Sequence, residues 1–302
     1  MKKIKGIIPA VFTPMKEDGS IYLDQIPKLV EQLIIDGVSA FYVCGSTGEG
    51  FSLTTEERME VAKRYVESAK KRLPVIINVG HNSIKEAQKL SEHAQKIGAD
   101  AFSAVPPSYF PISSLENLVE CVSEITAAAP KLPFYYYHIP RLTSVEVDMI
   151  KFLNLAEENI PNLVGVKYSD FKLFELQSCL EFDNGKYDIL FGSDEMLLSA
   201  LSVGVKGAVG STYNYATPLY NKIIQSFASG DISKARELQS LSVEMVKLQY
   251  KHGGIAAFKA TMKLIGVDCG PIRLPLQTLN QETIEKMDDE LKEVGFYDWG
   301  RN

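Results

Sequence analysis

A lysine at the end of an apolar run is the sharpest chemical signal in this chain. Lys167 follows Leu163-Val164-Gly165-Val166, a run that reads as a strand buried on both faces. Burial disfavours an ammonium, and a desolvated amine is a nucleophile that forms Schiff bases with ketones. A lysine whose amine simply runs out to the strand end is the plainer alternative. Lys206, beside Val203-Gly204-Val205, is a rival, but it precedes its strand instead of ending it. Tyr137 closes the run Phe134-Tyr135-Tyr136-Tyr137. A phenol beside an amine can shuttle protons, although three adjacent tyrosines also serve as bulky strand filling. Gly45-Ser46-Thr47-Gly48-Glu49 offers the hydroxyls of Ser46 and Thr47 and nearby turn N–H groups, which suit a carboxylate. No Gly-Lys-Ser/Thr follows, so it is not a phosphate loop, and an ordinary strand-to-helix turn has the same composition.

These residues sit at the ends of recurring elements. Runs rich in Val, Ile, Phe and Tyr occupy residues 4–13, 40–44, 74–79, 101–105, 133–138, 163–168, 189–192 and 207–211. Helix-like stretches separate them. Thr54 with Glu57 forms a capping box, Ser83 with Glu86 repeats its spacing, and Gly98 closes the helix that follows. Eight strand-plus-helix units in order predict an α/β chain folded as a (β/α)8 TIM barrel. A doubly wound open sheet is the alternative, and the chain lacks the glycine motif of dinucleotide binders. From about residue 216 the pattern becomes helical only, over 217–229, 231–251, 254–265 and 281–294. The division expected is a barrel over 1–230 and a helical extension over 231–302.

Barrels carry chemistry at the C-terminal ends of their strands. Those ends read Gly45 to Glu49, Ser108-Tyr109-Phe110, Tyr137-His138, Lys167-Tyr168-Ser169-Asp170, Gly192-Ser193-Asp194-Glu195 and Gly210-Ser211-Thr212. If Lys167 faces the interior, alternation turns Gly165 and Leu163 inward and Val164 and Val166 toward the helices.

The 302 residues are 45% apolar and 23% charged, and 32 basic against 38 acidic side chains give a net charge of −6. That balance argues against nucleic acid as a partner. No apolar run is long enough to cross a bilayer, so no membrane partner is expected. Met1-Lys2-Lys3-Ile4 leads into a segment broken by Pro9 and Pro14, which reads as a first strand and not a signal peptide. Four scattered cysteines and four histidines show no metal spacing. No metal or cofactor is called for, and a reducing cytoplasm fits. Four features have plain readings. Glu56-Glu57 is a solvated helix start, and Asp288-Asp289-Glu290 a solvated helix face. His138 is a satisfied histidine beside the site, and Cys44 a small core residue under the turn.

Together, Gly45-Ser46-Thr47-Gly48-Glu49, Tyr137 before Ile139-Pro140, Gly165-Val166-Lys167 and Gly207 to Ser211 resemble the N-acetylneuraminate lyase and dihydrodipicolinate synthase superfamily of class I aldolases. The resemblance runs from about Gly6 into the C-terminal helices. "FYYYHIP", "GVKYSD" and "GAVGSTYNY" are closer to its lyase branch. The resemblance implies a Schiff-base role for Lys167, a proton shuttle at Tyr137, and a hold on the pyruvate-derived carboxylate by Ser46 and Thr47. It also implies hydrogen bonds from Ser169, Gly192, Asp194, Glu195 and Ser211 to a polyol chain. Tyr109 matches a tyrosine that reaches toward the site near a subunit contact, and a homotetramer is implied. The synthase branch carries an arginine five residues after the tyrosine. Here that place holds Leu142, with Arg141 one place earlier, and Ser144 stands where a glycine is common. Two acidic acceptors, Asp194 and Glu195, suit sugar hydroxyls better than a dianionic product. A small-molecule keto acid is the expected partner. The alternatives are a condensing synthase, an aldolase for another 2-keto-3-deoxy sugar acid, and a non-catalytic sensor of such acids.

Overall fold

A computed structural model describes residues 2–299. Its strands are β1 (Gly6–Pro9), β2 (Phe41–Val43), β3 (Val75–Asn78), β4 (Ala101–Ala104), β5 (Phe134–His138), β6 (Leu163–Tyr168), β7 (Asp188–Phe191) and β8 (Gly207–Gly210). All pair in parallel, in the order β1-β8-β7-β6-β5-β4-β3-β2. Ala10 bridges to Tyr42 at the open edge, and the N–H groups of Ser39 and Val11 donate to Ile7 and Tyr42 carbonyls there. The sheet thus curls into a nearly closed (β/α)8 barrel, as the eight units predict.

The helices are α1 (Ile26–Ile35), α2 (Thr55–Ala69), α3 (Ile84–Lys96), α4 (Leu115–Ala127), α5 (Pro140–Thr143), α6 (Met149–Asn159), α7 (Leu173–Gly185) and α8 (Leu197–Ser202). α9 (Tyr213–Ala228), α10 (Ile232–Lys251), α11 (Ile255–Leu264) and α12 (Gln281–Glu293) follow. Side chains satisfy the orphan N–H groups at their starts. Thr54 and Glu57 close the capping box on α2, and Ser83, Ser114, Asp148, Asp231 and Asn280 cap five others. The C-terminal helices fall within a residue of the expected bounds, except that α9 begins at Tyr213. Pro218 cannot accept a regular preceding turn, and the backbone leaves helical angles at Ala216. The sequence pattern resumed only beyond that kink.

Two apolar clusters form. The larger joins the outer strand faces to the helices, and the smaller fills the barrel with Ile8, Tyr42, Ile76, Tyr135, Tyr137 and Leu190 among others. One expected alternation fails. Phe134 pairs with Leu163 and Tyr135 with Gly165, so Val164 is an extra residue in β6. This bulge reverses the phase at the strand start. Leu163 joins the outer cluster and Val164 packs against the inner one. Beyond the bulge, Val166 lies in the outer cluster and Lys167 lines the interior cavity, as expected.

The acidic runs are solvated at Glu56 and Asp289, as expected, but Glu57, Asp288 and Glu290 are partly buried and paired. Arg273, after α11, grips both Glu57 oxygens at 2.6 Å. Glu290 accepts from Lys251 and bonds His252, while Asp288 pairs with Lys292. The segment after α11 carries Arg273 to the start of α2, whereas Lys251 and His252 come from the end of α10 and Lys292 from α12 itself.

Candidate active site

β6 delivers Lys167 and β5 delivers Tyr137 to the same level, because the two residues are register partners. The side chains meet through ring faces. The Lys167 amine lies 3.9 Å from the centroid of Tyr137 and 4.0 Å from that of Tyr42, and the two rings meet edge to face at 82°. Cation–π contact and burial therefore hold the amine in place; only 4% of Lys167 is exposed. Gly165, two residues earlier in β6, lets the strand pack closely on Asp188 and Tyr135. A Cβ there would fall on the Asp188 carbonyl oxygen and lie 2.7 Å from the Tyr135 ring. Lys206 is exposed at the opposite end of the barrel, near Lys3 and Lys5.

A cavity of about 260 Å³ opens above the amine. Ser46, Thr47, Tyr137, Lys167, Gly192, Asp194, Glu195 and Ser211 all line it. Two other expected residues do not. Ser169 packs against Gly192, where any Cβ would strike its hydroxyl, and that buried oxygen has no hydrogen-bond partner. Tyr109 is 78% exposed and stacks edge to face on Phe110. In a single chain it lies outside the cavity.

The turn after β2 is tightly held. Thr47 and Ser211 hydroxyls are 2.7 Å apart, tying that turn to the one after β8. Thr13 donates to the Gly48 carbonyl at 2.6 Å, and Asn78 donates to that of Cys44 at 2.9 Å. Gly50 packs where a Cβ would collide with the Cys44 carbonyl. Cys44 is buried, and burial pushes its thiol up to about 11, which agrees with an inert core residue.

Asp194 opens a 3-10 turn at Asp194–Met196. One of its oxygens accepts from the Thr212 N–H at 2.7 Å and the Thr212 hydroxyl at 2.6 Å. Burial, reinforced by Glu195, pushes its carboxyl up to about 6, while the Thr212 bonds pull the other way. Gly210 leaves the room, since a Cβ there would meet the carboxylate.

His138 departs from the satisfied-histidine expectation. It is buried with both ring nitrogens unpaired, stacked near Tyr168 at 5.2 Å, and burial lowers it to about 4. Asp170 lies 3.9 Å away, too far for a hydrogen bond.

Sequence reasoning missed Tyr42, Thr212 and the helical wall. Tyr42 carries a strand-end, inward-facing signal that could have found it: Ala40 and Tyr42 alternate with Phe41 and Val43. Burial raises its phenol well above the ordinary range, and Ser103 shares its hydroxyl at 3.1 Å. Val246 and Tyr250 of α10 and Ile255 and Phe258 of α11 close the cavity from above; no motif marks them. Arg141 and Leu142 also line it, and Ser144 takes a left-handed φ of 56°, the conformation a glycine would favour.

The sequence profile of the Dihydrodipicolinate synthetase family matches residues 3–294. N-acetylneuraminate lyase of Homo sapiens is 40% identical over 300 residues, covering 98% of this chain and 94% of that protein. The Rattus norvegicus N-acetylneuraminate lyase is 39% identical with the same coverage. The solved Proteus mirabilis N-acetylneuraminate lyase superimposes with a TM-score of 0.95 at 38% identity, covering 98% of this chain and all of that one. Agreement in profile, sequence and barrel over nearly the whole length establishes that this chain belongs to the dihydrodipicolinate synthetase family.

Proposed function

We propose that this chain is a Schiff-base aldolase that reversibly cleaves N-acetylneuraminate to N-acetylmannosamine and pyruvate. One observation carries the reading. A buried lysine amine, flanked by two tyrosine rings, shares a cavity with a hydroxyl-bearing turn on one side and two carboxylates on the other. The named activity of the rat and human relatives supports the choice of substrate.

The Lys167 amine adds to the C2 ketone of the open-chain acid, and loss of water gives an iminium. Ser46 and Thr47 hold the adjacent carboxylate through their hydroxyls and turn N–H groups. Tyr137, helped by that carboxylate, takes the proton from the C4 hydroxyl. The C3–C4 bond breaks, its electron pair enters the iminium, and an enamine and N-acetylmannosamine result. Protonation of the enamine carbon and hydrolysis release pyruvate and restore the amine. Gly192, Asp194, Glu195 and Ser211 receive the polyol hydroxyls, with Ser169 packed against Gly192.

Borohydride with pyruvate should leave an adduct on Lys167, mapped by peptide mass spectrometry. Label on Lys206, or none on the native enzyme, would sink the reading. Tyr137→Phe should lower turnover by roughly 100-fold or more, as loss of a general base does, while adduct formation persists.

Arg141 at the cavity wall favours one second reading, a condensation in which a guanidinium holds a second carboxylate. Assays with N-acetylneuraminate, and with aspartate semialdehyde plus pyruvate, separate the two. Turnover of only the second pair would reverse the choice.

The proposal extends to a homotetramer, in which the exposed Tyr109–Phe110 pair of one subunit would be covered by another. Light scattering should then give four times the 33.5 kDa of one chain; a monomer would refute it. A cytoplasmic location belongs to the same proposal. It is supported by the unbonded state of Cys44, Cys121, Cys179 and Cys269 and by the absence, among the described residues, of any helix long and apolar enough to cross a membrane. Recovery of the protein in a periplasmic or membrane fraction would reject it.

A further inference from the structure

The turn that carries Ser46 and Thr47 is anchored from far along the chain. Two residues beyond Thr47, Glu49 takes a left-handed φ of 55°, a strained conformation for a residue with a Cβ. Its carboxylate is fully buried and bonds two groups: the Lys259 amine at 2.7 Å and the Arg273 N–H at 2.7 Å. Lys259 sits in α11 next to Phe258, which lines the cavity. It also donates to the Pro271 carbonyl at 2.6 Å, and 2% of its side chain is exposed. The Glu49 N–H donates to Ser46 and the Gly50 N–H to Gly45, which closes the turn on itself.

Burying such a pair gives little net stability, because desolvation offsets the attraction. What the pair does supply is geometry. It locks the strained residue that ends the hydroxyl turn onto the helix that roofs the site. We infer that Glu49 and Lys259 are a positioning pair, through which the C-terminal helices set the carboxylate-binding turn of Ser46 and Thr47 against the Lys167 amine. This deepens the proposed function and rests on its carboxylate role for Ser46 and Thr47.

The test compares borohydride trapping of two ketones, pyruvate and acetone, on wild type, Glu49→Gln, Lys259→Met and the double variant. Both ketones report on Lys167, and only pyruvate carries a carboxylate. Glu49→Gln is isosteric and keeps an acceptor for Arg273. The double variant removes both buried charges and so avoids leaving one unpaired. In each variant, trapping of pyruvate should fall by roughly tenfold or more relative to wild type, as lost orientation of a reacting group does. Trapping of acetone should stay within about twofold. A parallel fall for both ketones would reduce the pair to a structural role and overturn the inference. A wild-type ratio in the double variant or in Glu49→Gln would overturn it as well. Failure of the wild-type protein to trap pyruvate on Lys167 would instead count against the proposed function.

Discussion

Among the described residues no carboxylate lies within ion-pair distance of Lys167; two tyrosine faces contact its amine instead. A contact of this kind is worth about 0.5–2 kcal/mol of attraction. The amine is thus held without being locked in a salt bridge, which suits a group that must become a nucleophile. Tyr42 can be tested on its own. Tyr42→Phe keeps the ring and loses only the Ser103 bond, so pyruvate trapping should stay within about threefold of wild type, as for one modest hydrogen bond. Tyr42→Leu removes the face, and trapping should fall by roughly tenfold, the equivalent of about 1.4 kcal/mol. Equal rates for the two variants would show that the face does not position the amine.

At the scale of elements, the bulge at Val164 and the missing side chain at Gly165 decide where β6 points Lys167. The motif residues at strand ends were legible because strand termini and glycine turns have clear sequence signals. The bulge was not, because one extra residue leaves composition and periodicity almost unchanged. Gly165→Ala would place a methyl group on the Asp188 carbonyl, and backbone cannot yield cheaply. Thermal unfolding should show a loss of about 1–3 kcal/mol, the cost of overpacking, and the lysine should also lose its register with Tyr137. An unchanged melting temperature with full pyruvate trapping would contradict that account.

For the whole molecule, two buried groups set opposing pH dependences. His138 falls from an ordinary 6.5 to about 4 in the folded chain. The unfolded chain therefore binds more protons between those values, and stability is lost as pH falls from about 6.5 to 4. That loss is on the order of 3 kcal/mol. Asp194 rises from 3.8 to about 6, so the folded chain binds the extra proton and gains stability as pH falls through 6 to 4. The two largely offset each other in wild type. His138→Phe keeps a ring between Tyr136 and Tyr168 and removes only the first contribution. Urea unfolding should show the stability of that variant relative to wild type rising as pH drops from 6.5 to 4. A curve parallel to wild type would show that His138 is not buried in its neutral form.

The sequence by itself determined the eight strand-plus-helix units, the helical C-terminal part, and the strand-end positions of Lys167, Tyr137, Ser46 and Asp194. Each follows from local periodicity, capping or glycine turns, which a linear pattern contains. The tertiary structure alone decided which of these residues share one cavity, and it set Ser169 against Gly192 and left Tyr109 outside the cavity. It also brought Tyr42 against the lysine, seated Thr212 on Asp194 and carried Lys259 to Glu49 across 210 residues. Those contacts depend on barrel closure and on where distant helices return, and no short-range pattern encodes the distance between residues so far apart along the chain.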